Sequence, residues 1–458
     1  MKKFEKIPGS FRDPDGYVFL NEQSIYRCIN KNYQENYEQL ISSGLYKKLT
    51  EEKLLIPHQE IDQPQLLPQD AFKVIQPELI PFISYPYEWC FSQLKQAALT
   101  TLKIQKIAMR FAMSLKDCSA YNIQFKHNQA ILIDTLSFEK YNPSQPWPAY
   151  KQFCQYFLSP LALISCKDVR LSQLLKTFID GIPLDLASRL LPKSSYLNLG
   201  LFLHIHLHAK FQKNVSNKKF PSCLKPNQLG LMGMLEQLET TIKKLRFKPK
   251  SNHWNNYYQN NSYSKTAFAH KQEIVKEFLE QIKPRTIWDL GANKGIFSLL
   301  ASKQSHWVIA LDSEPELIEQ IFLNCQKTGI SNILPLVLDL SNPSPDIGWE
   351  NKERISLLKR GPAQTIMALA LIHHLAISHN LPLDKIAEFF AANCTWLIIE
   401  FIPKTDSQSQ KLLRNRKDIF TDYNKINFEK TFSDFLKIHS QTDIKDTERT
   451  IYLMEKLK

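Results

Sequence analysis

The chain has 458 residues and a mass of 53.3 kDa, more than one hydrophobic core usually organises, so at least two domains are expected. Its 43% hydrophobic and 22% charged residues exclude a disordered or fibrous protein, and no apolar run approaches the length of a membrane helix. The excess of 58 Lys and Arg over 45 Asp and Glu gives a net charge of +13, which favours anionic partners without choosing among them.

The beginning of the chain and its cysteines bear on location. Residues 1–9 carry charge but no apolar signal segment. The eight cysteines include no Cys-x-x-Cys pair, so neither a disulfide framework nor a zinc ribbon is indicated. We therefore expect a cytoplasmic protein with reduced thiols.

The N-terminal part has the pattern of an α+β domain. Apolar and β-branched residues between turn signals predict two pairs of strands. From residue 90 the pattern is mostly helical, and two further strands interrupt it. The predicted strands are residues 16–20, 24–29, 72–75, 81–85, 123–125 and 130–134, and a helical stretch spans 33–49.

One chemical pattern lies within this part. Asp117 is followed, after four residues, by Asn122, then by a short strand, a turn and a strand that ends in Asp134. This order resembles the catalytic loop and metal-binding Asp of protein-kinase-like and aminoglycoside-kinase-like phosphotransferases. The resemblance implies that Asp117 is the base that orients an attacking hydroxyl, and that Asn122 and Asp134 bind Mg²⁺ beside ATP.

The same region departs from the phosphotransferase pattern. It lacks a Gly-rich phosphate loop, a Lys precedes Asp117 where those enzymes have Arg, and Arg27 stands at the strand position most similar to that of their catalytic lysine. We therefore predict a degenerate kinase-like fold, with an active ATP- and Mg-dependent domain as one alternative. Another is an ordinary helical domain in which Asp117 and Asn122 close a turn.

Three histidines alternate along the chain at His204, His206 and His208. All three would share one face of a strand, and His204 and His208 one face of a helix, as in a metal site. Because no carboxylate or cysteine accompanies them, structural histidines are the preferred interpretation.

A change in composition marks a domain boundary. Residues 243–263 are first basic and then rich in Asn and Tyr, without regular hydrophobic periodicity. We predict a linker there, between an N-terminal domain of residues 1–242 and a C-terminal domain of residues 264–458.

The C-terminal part alternates strands with helices, which predicts a parallel sheet. The last two segments are separated by a short polar turn and predict an antiparallel hairpin at the sheet edge. The predicted elements are a helix at 271–282, strands at 286–290, 307–311, 334–338, 365–371 and 396–401, and the hairpin at 435–444 and 449–457.

The strongest chemical signal is the turn after the first of these strands. It contains Asp289, Gly291, Asn293 and Gly295 and leads into a helix. Glycines let backbone amides approach a ligand, and the helix N-terminus favours negative charge. Asp289 can accept hydrogen bonds from an ammonium group.

Acidic residues end the next two strands as well. Asp312 follows the second strand, where a carboxylate can accept both hydroxyls of a ribose, and Asp339 follows the third, at the depth of a purine ring. A dinucleotide-binding domain is the alternative, but its Gly-x-Gly-x-x-Gly spacing is absent because Asn293 follows Gly291 by two residues. One crevice lined by three strand-end carboxylates is therefore predicted.

This set of residues resembles the class I S-adenosylmethionine (SAM)-dependent methyltransferases, whose first motif is Asp-x-Gly-x-x-x-Gly. The resemblance covers residues 263–458 and implies a Rossmann-like seven-stranded α/β sheet with an antiparallel edge hairpin. It also implies SAM as the cofactor, bound by Asp289, Gly291, Asn293, Gly295, Asp312 and Asp339.

Catalytic candidates follow from position in the sheet. His373 and His374 come after the fourth strand, at the edge that faces the crevice, and imidazole titrates near neutral pH. Glu400 ends the fifth strand and could face the same site. The alternative for each is a structural role.

The whole chain resembles a bacterial two-part methyltransferase-like family related to nodulation proteins of the NoeA type. This resemblance implies a methyltransferase but names no acceptor, which we expect to be a small molecule, lipid or glycan. The alternatives are a bifunctional protein with an active phosphotransferase domain, a non-catalytic SAM-binding interaction protein, and a nucleic-acid methyltransferase, for which no binding module is recognisable. The resemblance is carried by residues 82–89, 115–125, 133–139 and 369–375.

Overall fold

The computed structural model describes residues 5–21, 24–61, 71–215, 227–249, 263–414 and 417–457. Contacts divide the chain into two compact units, which are considered separately. The N-terminal unit consists of Met1–Lys248 together with Asp346–Ile355, and the C-terminal unit of Pro249–Pro345 and Ser356–Lys458.

The N-terminal unit extends beyond the predicted boundary at residue 242. Lys243 and Lys244 close a helix, Leu245 is buried, and the ring of Phe247 stacks on Phe91 with centroids 6.0 Å apart. The rest of the predicted linker falls mainly on residues 250–262, which lie outside the described residues.

The segment Asp346–Ile355 joins the N-terminal unit although it lies far along the chain. Its Glu353 is buried and accepts two hydrogen bonds from Arg12, at 2.7 and 2.9 Å. The guanidinium of Arg354 lies 4.3 Å from the ring centroid of Tyr121, and the amide of Ile355 donates to the hydroxyl of Tyr85 at 2.9 Å. This insertion in the C-terminal domain carries no sequence signal that we recognised.

An antiparallel sheet begins the N-terminal unit, in the order β1-β2-β3-β5-β4. Phe19, Cys28 and Val74 form one buried cluster, and Ile29 and Ile75 belong to a second. The strands predicted at 16–20, 24–29 and 72–75 are confirmed. The strands are β1 (Glu5–Lys6), β2 (Gly16–Asn21), β3 (Ser24–Asn30), β4 (His58–Glu60) and β5 (Ala71–Pro77).

The strand predicted at 81–85 is wrong. Pro81 and Pro86 lack the amide hydrogen that a ladder needs. The amide of Ser84 instead donates to Oε1 of Gln124 at 2.8 Å, and Nε2 of Gln124 donates to the carbonyl of Ser84 at 2.9 Å. A buried side chain thus takes the place of a neighbouring strand.

The remainder of this unit is mostly helical, with two short antiparallel ladders. The helix predicted over 33–49 is two helices, because Gly44 adopts a left-handed φ of 83° between them. The ladders pair β6 (Met113–Leu115) with β9 (Phe138–Lys140), and β7 (Ile123–Lys126) with β8 (Gln129–Leu132). The helices are α1 (Gln34–Ser42), α2 (Leu45–Glu51), α3 (Phe91–Arg110), α4 (Tyr150–Phe153), α5 (Ser159–Cys166), α6 (Leu174–Thr177), α7 (Leu184–Leu190), α8 (Leu199–Leu201), α9 (His208–Val215) and α10 (Gln228–Lys244).

The C-terminal unit is built on a mixed seven-stranded sheet in the order β12-β11-β10-β13-β14-β16-β15. The first five strands in that order are parallel, and β16 and β15 add an antiparallel edge. The predicted sheet and edge hairpin are confirmed. The strands are β10 (Thr286–Leu290), β11 (Trp307–Asp312), β12 (Ile333–Val337), β13 (Ala363–Ala368), β14 (Cys394–Phe401), β15 (Leu436–Asp443) and β16 (Thr450–Lys456).

The described chain forms α-helices between consecutive parallel strands, except from β12 to β13, and these helices pack on the sheet. Strands β10, β13 and β14 are almost continuously buried, as expected for a parallel sheet with helices on its faces. Within the described ranges, no helix combines the length and the hydropathy of a membrane span. The helices are α11 (Lys265–Ile282), α12 (Ile296–Ser302), α13 (Pro315–Thr328), α14 (Leu383–Asn393), α15 (Ser407–Leu413) and α16 (Lys425–Ser433).

Candidate active site

A cavity of about 330 Å³ opens in the C-terminal unit where β10 and β13 end. The turn after β10 lines one side of it through Gly291, Ala292, Asn293 and Lys294. The other lining side chains named below are those of Tyr263, Phe268, Lys271, Asp289, Phe297, His373, His374 and Arg449. Ligands bind beyond the carboxyl ends of parallel strands, so this cavity is the candidate active site.

The turn after β10 needs glycine at two positions. Gly291 has φ of 75°, and its amide donates to the carbonyl of Leu311 at 2.8 Å. Gly295 has φ of 74°, and a Cβ there would lie 2.9 Å from Cγ1 of Ile321. Gly291 lines the cavity, whereas Gly295 lets helices α12 and α13 approach each other.

Asp289 brings a buried carboxylate to the cavity. Its side chain is 2% exposed, and its only hydrogen-bond donor within the described ranges is the hydroxyl of Ser298. Burial raises the pKa of Asp289 to about 6, with Asp312 adding to the increase. A cationic ligand group would compensate this carboxylate.

Asp312 is fixed beside the turn. Oδ2 accepts the amide of Asn293 at 2.8 Å, and Oδ1 accepts that of Glu314 at 3.0 Å. Asn293 takes a left-handed φ of 54°, a conformation that asparagine tolerates better than most side chains. Asp339 is exposed after β12 and accepts the amide and the hydroxyl of Ser341. Of the three carboxylates predicted to line one crevice, Asp289 lines the cavity, whereas Asp312 and Asp339 are not among its lining residues. The ribose and purine roles of these two acids stay predictions.

The two histidines begin a short helical segment after β13: His374 opens the π-helical turn His374–Ser378, and His373 directly precedes it. The predicted strand over 365–371 ends at Ala368, because the chain reverses through Ala370 at φ of 53°. His373 is 2% exposed, lines the cavity, and has a buried Nδ1 with no hydrogen-bond partner in the described part of the chain. Burial is the main cause that holds the pKa of His373 well below its ordinary range, and His374, Arg449 and Lys271 lower it further. Burial also lowers the pKa of His374. Both rings are neutral at physiological pH.

Glu400 belongs to a buried ion-pair cluster. Its Oε2 lies 2.6 Å from Nζ of Lys271, and its Oε1 accepts the hydroxyl of Tyr263 and lies 3.6 Å from Nη1 of Arg449. Lys271 and Arg449 hold the pKa of Glu400 below its ordinary value despite full burial. Glu400 is not among the cavity-lining residues, so these contacts do not support the predicted catalytic role.

The sequence analysis did not predict the buried charged cluster beside the cavity, to which Arg449 and Lys271 belong. Arg449 makes a bidentate pair with Asp406, at 2.8 and 2.9 Å, and lies 4.3 Å from the ring centroid of Tyr263. Lys271 lies 4.9 Å from the ring centroid of Phe297. A signal was present, since Lys271 interrupts the buried apolar face of α11, and a charge there needs a buried partner.

In the N-terminal unit, the phosphotransferase-like residues form one hydrogen-bonded chain. Oδ1 of Asp117 accepts from the amide of Ser119 and the side chain of Gln152, both at 2.8 Å, and Oδ2 accepts Nδ2 of Asn122 at 3.0 Å. Nδ2 of Asn122 also lies 3.4 Å from the hydroxyl of Ser137. Asp117 thus closes a turn, as the structural alternative predicted.

Asp134 has a cationic partner, Arg27, which it shares with Asp13. Nη2 of Arg27 lies 2.7 Å from Oδ1 of Asp134 and 2.6 Å from Oδ2 of Asp13. The amide of Leu136 and the hydroxyl of Ser137 donate to the Asp134 carboxylate as well. The described residues contain no group of three or more His, Cys, Asp or Glu side chains that could hold a metal ion. The structure therefore gives no support to the predicted ATP and Mg²⁺ site, and the kinase-like fold stays a prediction.

The histidines of residues 204–208 lie within a helix and have local partners. Nδ1 of His204 lies 2.7 Å from the Tyr150 hydroxyl, and His206 bonds Ser188 and Ser195 at 2.8 Å each. These contacts match the structural interpretation.

One known protein is similar over almost the whole chain. The chain is 34% identical over 460 residues to the nodulation protein NoeA of Rhizobium meliloti strain 1021, covering 98% of this chain and 96% of that protein. No protein-family model matches the chain.

Several solved structures are similar over less than half of the chain. The N-methyltransferase NodS from Bradyrhizobium japonicum WM9 has a TM-score of 0.31 and 9% identity, covering 42% of this chain and 98% of NodS. Magnesium protoporphyrin IX methyltransferase from Synechocystis PCC 6803, solved with bound SAM, has 0.31 and 14%, covering 44% and 89%. The bifunctional kinase-methyltransferase WbdD has 0.31 and 15%, covering 44% and 41%. With TM-scores this low, the fold assignment depends on the strand order of the sheet itself.

Proposed function

The chain belongs to the NoeA family of nodulation proteins, and we propose that its C-terminal unit is a class I SAM-dependent methyltransferase acting on an amine or hydroxyl. The buried Asp289 carboxylate carries the proposal, because it lies in a cavity with the glycine turn on one side and His373 on the other. SAM has an ammonium and a sulfonium, the kind of positive charge that such a carboxylate would compensate.

The cavity residues fit this cofactor. Asp289 and the backbone of Gly291 to Asn293 would hold its amino-acid end. Asp312 is outside the cavity lining but accepts the amide of Asn293, which lines it, and with its remaining acceptor capacity would hold the ribose. When bound, SAM supplies an electrophilic methyl group on a sulfonium centre. The rings of Phe268 and Phe297 line the same cavity and limit the access of water.

His373 is the residue best placed to handle the acceptor. Its Nδ1 is buried without a partner among the described residues, and the low pKa keeps the ring neutral, so Nδ1 can accept a hydrogen bond from an N–H or O–H group. That bond would turn the acceptor lone pair toward the methyl group. A base this weak contributes mainly by orientation, with His374 as a second group at the cavity wall.

The role of the N-terminal unit in this proposal is recognition of the acceptor. What supports it is the set of contacts that Asp134 makes with Arg27 and Ser137, because they occupy the carboxylate that the phosphotransferase pattern uses for Mg²⁺. We therefore expect SAM-linked ligands, and not ATP with Mg²⁺, to raise the melting temperature of the full chain.

Calorimetric titration with S-adenosylhomocysteine tests the proposal. Asp289→Asn should weaken binding at least about tenfold, because the neutral amide cannot compensate a cation. The exposed Asp384→Asn, at the start of α14, is the matched control. No binding by the full chain, or equal binding by Asp289→Asn, would overturn the assignment.

A second assay separates catalysis from mere binding. The full chain is incubated with methyl-labelled SAM and a fractionated cell extract, and His373→Ala is run in parallel. Label transferred by the wild-type chain and lost in the variant supports the enzyme. Tight binding without transfer to any fraction would favour a non-catalytic SAM-binding protein.

A further inference from the structure

A second and larger cavity lies in the N-terminal unit. It is a groove of about 670 Å³ over one face of α3, bordered by α2 and by Glu239 of α10. The α3 residues recur at helical spacing over about 27 Å. They are Ser92, Lys95, Gln96, Leu99, Thr100, Lys103, Lys106, Ile107 and Arg110.

The groove has an excess of positive charge. The described residues that line it include five cations and two carboxylates, those of Glu52 and Glu239. The cations are Lys48, Lys95, Lys103, Lys106 and Arg110. Each carboxylate is shared between two lysines: Glu52 lies 2.9 Å from Lys48 and 2.6 Å from Lys103, and Glu239 pairs with Lys106 and Lys243. A carboxylate shared in this way cannot neutralise both lysines, so the groove attracts anions.

We propose that this groove binds a linear acidic oligosaccharide. Lys103 and Arg110 follow each other at about 10 Å along the helix axis, a spacing that suits one acidic sugar in every second unit. The ammonium of Lys95 adds positive charge further along the groove, although it already donates to the carbonyls of Lys243 and Leu245 at 2.9 and 2.8 Å. Thr100 and Gln96 offer groups that pair with sugar hydroxyls, and Leu99 and Ile107 offer apolar surface for the C–H faces of the rings.

The lining favours a glycan over a nucleic acid. Single-stranded nucleic acids are held by aromatic side chains that stack on the bases, and their phosphates repeat far more closely than these cations. Phe111, at the end of the groove, is the single aromatic residue among its lining residues in the described part of the chain.

Calorimetry with the full chain tests this inference. The probes are a hexasaccharide of hyaluronan, in which an acidic sugar alternates with a neutral one, and cellohexaose, which is neutral. We expect the acidic hexamer to bind with an affinity that falls as salt rises, and the neutral one not to bind. Far-UV circular dichroism of the same sample shows whether the protein is folded.

Three variants and a control fix the site. Lys103→Gln and Arg110→Gln should each weaken binding of the acidic hexamer about three- to tenfold. Glu52→Gln should strengthen it, because it releases Lys48 and Lys103. Lys276→Gln is the control, since Lys276 is equally exposed and pairs with Glu280 on another helix. Equal binding of cellohexaose, no effect of the three variants, or tighter binding of oligo(dT) or oligoglutamate would overturn the proposal.

Discussion

Loss of Glu400 is predicted to destabilise the C-terminal unit severely. The carboxylate is fully buried and contacts Lys271 and Tyr263. Glu400→Gln would leave the ammonium of Lys271, itself 3% exposed, without its partner. Breaking a buried pair from one side costs about 3–5 kcal/mol, a large part of the total stability of a domain.

The loss of stability in Glu400→Gln is predicted to become smaller as pH rises. Burial already lowers the pKa of Lys271, and Glu400 opposes that shift. In Glu400→Gln the pKa of Lys271 falls further below its value in the unfolded chain. The unfolded state then binds more protons, so the stability of the variant recovers as pH rises from the folded pKa of Lys271 toward its unfolded pKa.

Urea denaturation at pH 7 and pH 9.5, with hydrogen exchange of peptides from α11 and β14, measures both effects in the C-terminal unit. A double variant, Lys271→Met with Glu400→Leu, removes both charges and should regain much of the loss. The reasoning is refuted if Glu400→Gln unfolds at the wild-type urea concentration, or if its deficit grows with pH.

Three further outcomes follow from the geometry. The pKa of Asp289 is raised to about 6, so the folded state binds more protons than the unfolded state between about pH 4 and 6. The free energy of unfolding therefore falls as pH rises through that window. The melting temperature of Asp289→Asn should lack this dependence on pH. Gly295→Ala should cost about 2 kcal/mol or more, because φ is 74° and the new Cβ would meet Ile321 at 2.9 Å; a wild-type urea midpoint would contradict this. Arg27→Met should destabilise the N-terminal unit by about 3 kcal/mol by leaving Asp134 uncompensated, with Arg27→Lys as the milder control; equal urea midpoints for the two variants would refute a role for the charge.

Local patterns predicted the C-terminal sheet well. The sequence predicted the alternation of strands and helices, the two glycines of the turn, and the strand-end acids Asp289 and Asp312. Each of these features is determined by residues that are close together in the chain, so its pattern can be read locally. The end of β13 was placed too late because Ala370 takes a left-handed conformation that alanine rarely adopts. His373 was named from position, but its orphaned Nδ1 is a property of packing among the described residues.

Long-range contacts account for what sequence reasoning missed. Lys271 and Glu400 are 129 residues apart, so nothing local pairs them, although a lysine on an apolar helix face was a usable hint. The prediction of a strand at 81–85 was wrong partly for the same reason. The amide and carbonyl of Ser84 bond to the side chain of Gln124, which is 40 residues away in the sequence.

The segment Asp346–Ile355 gives the N-terminal unit an unusual dependence during synthesis. Arg12 meets Glu353 and Tyr121 meets Arg354, so these partners leave the ribosome more than two hundred residues apart. The first unit therefore cannot complete its contacts until much of the C-terminal sheet has been translated. A fragment cut after Lys248 would lack this segment, so the isolated unit would need it supplied as a grafted or co-expressed peptide.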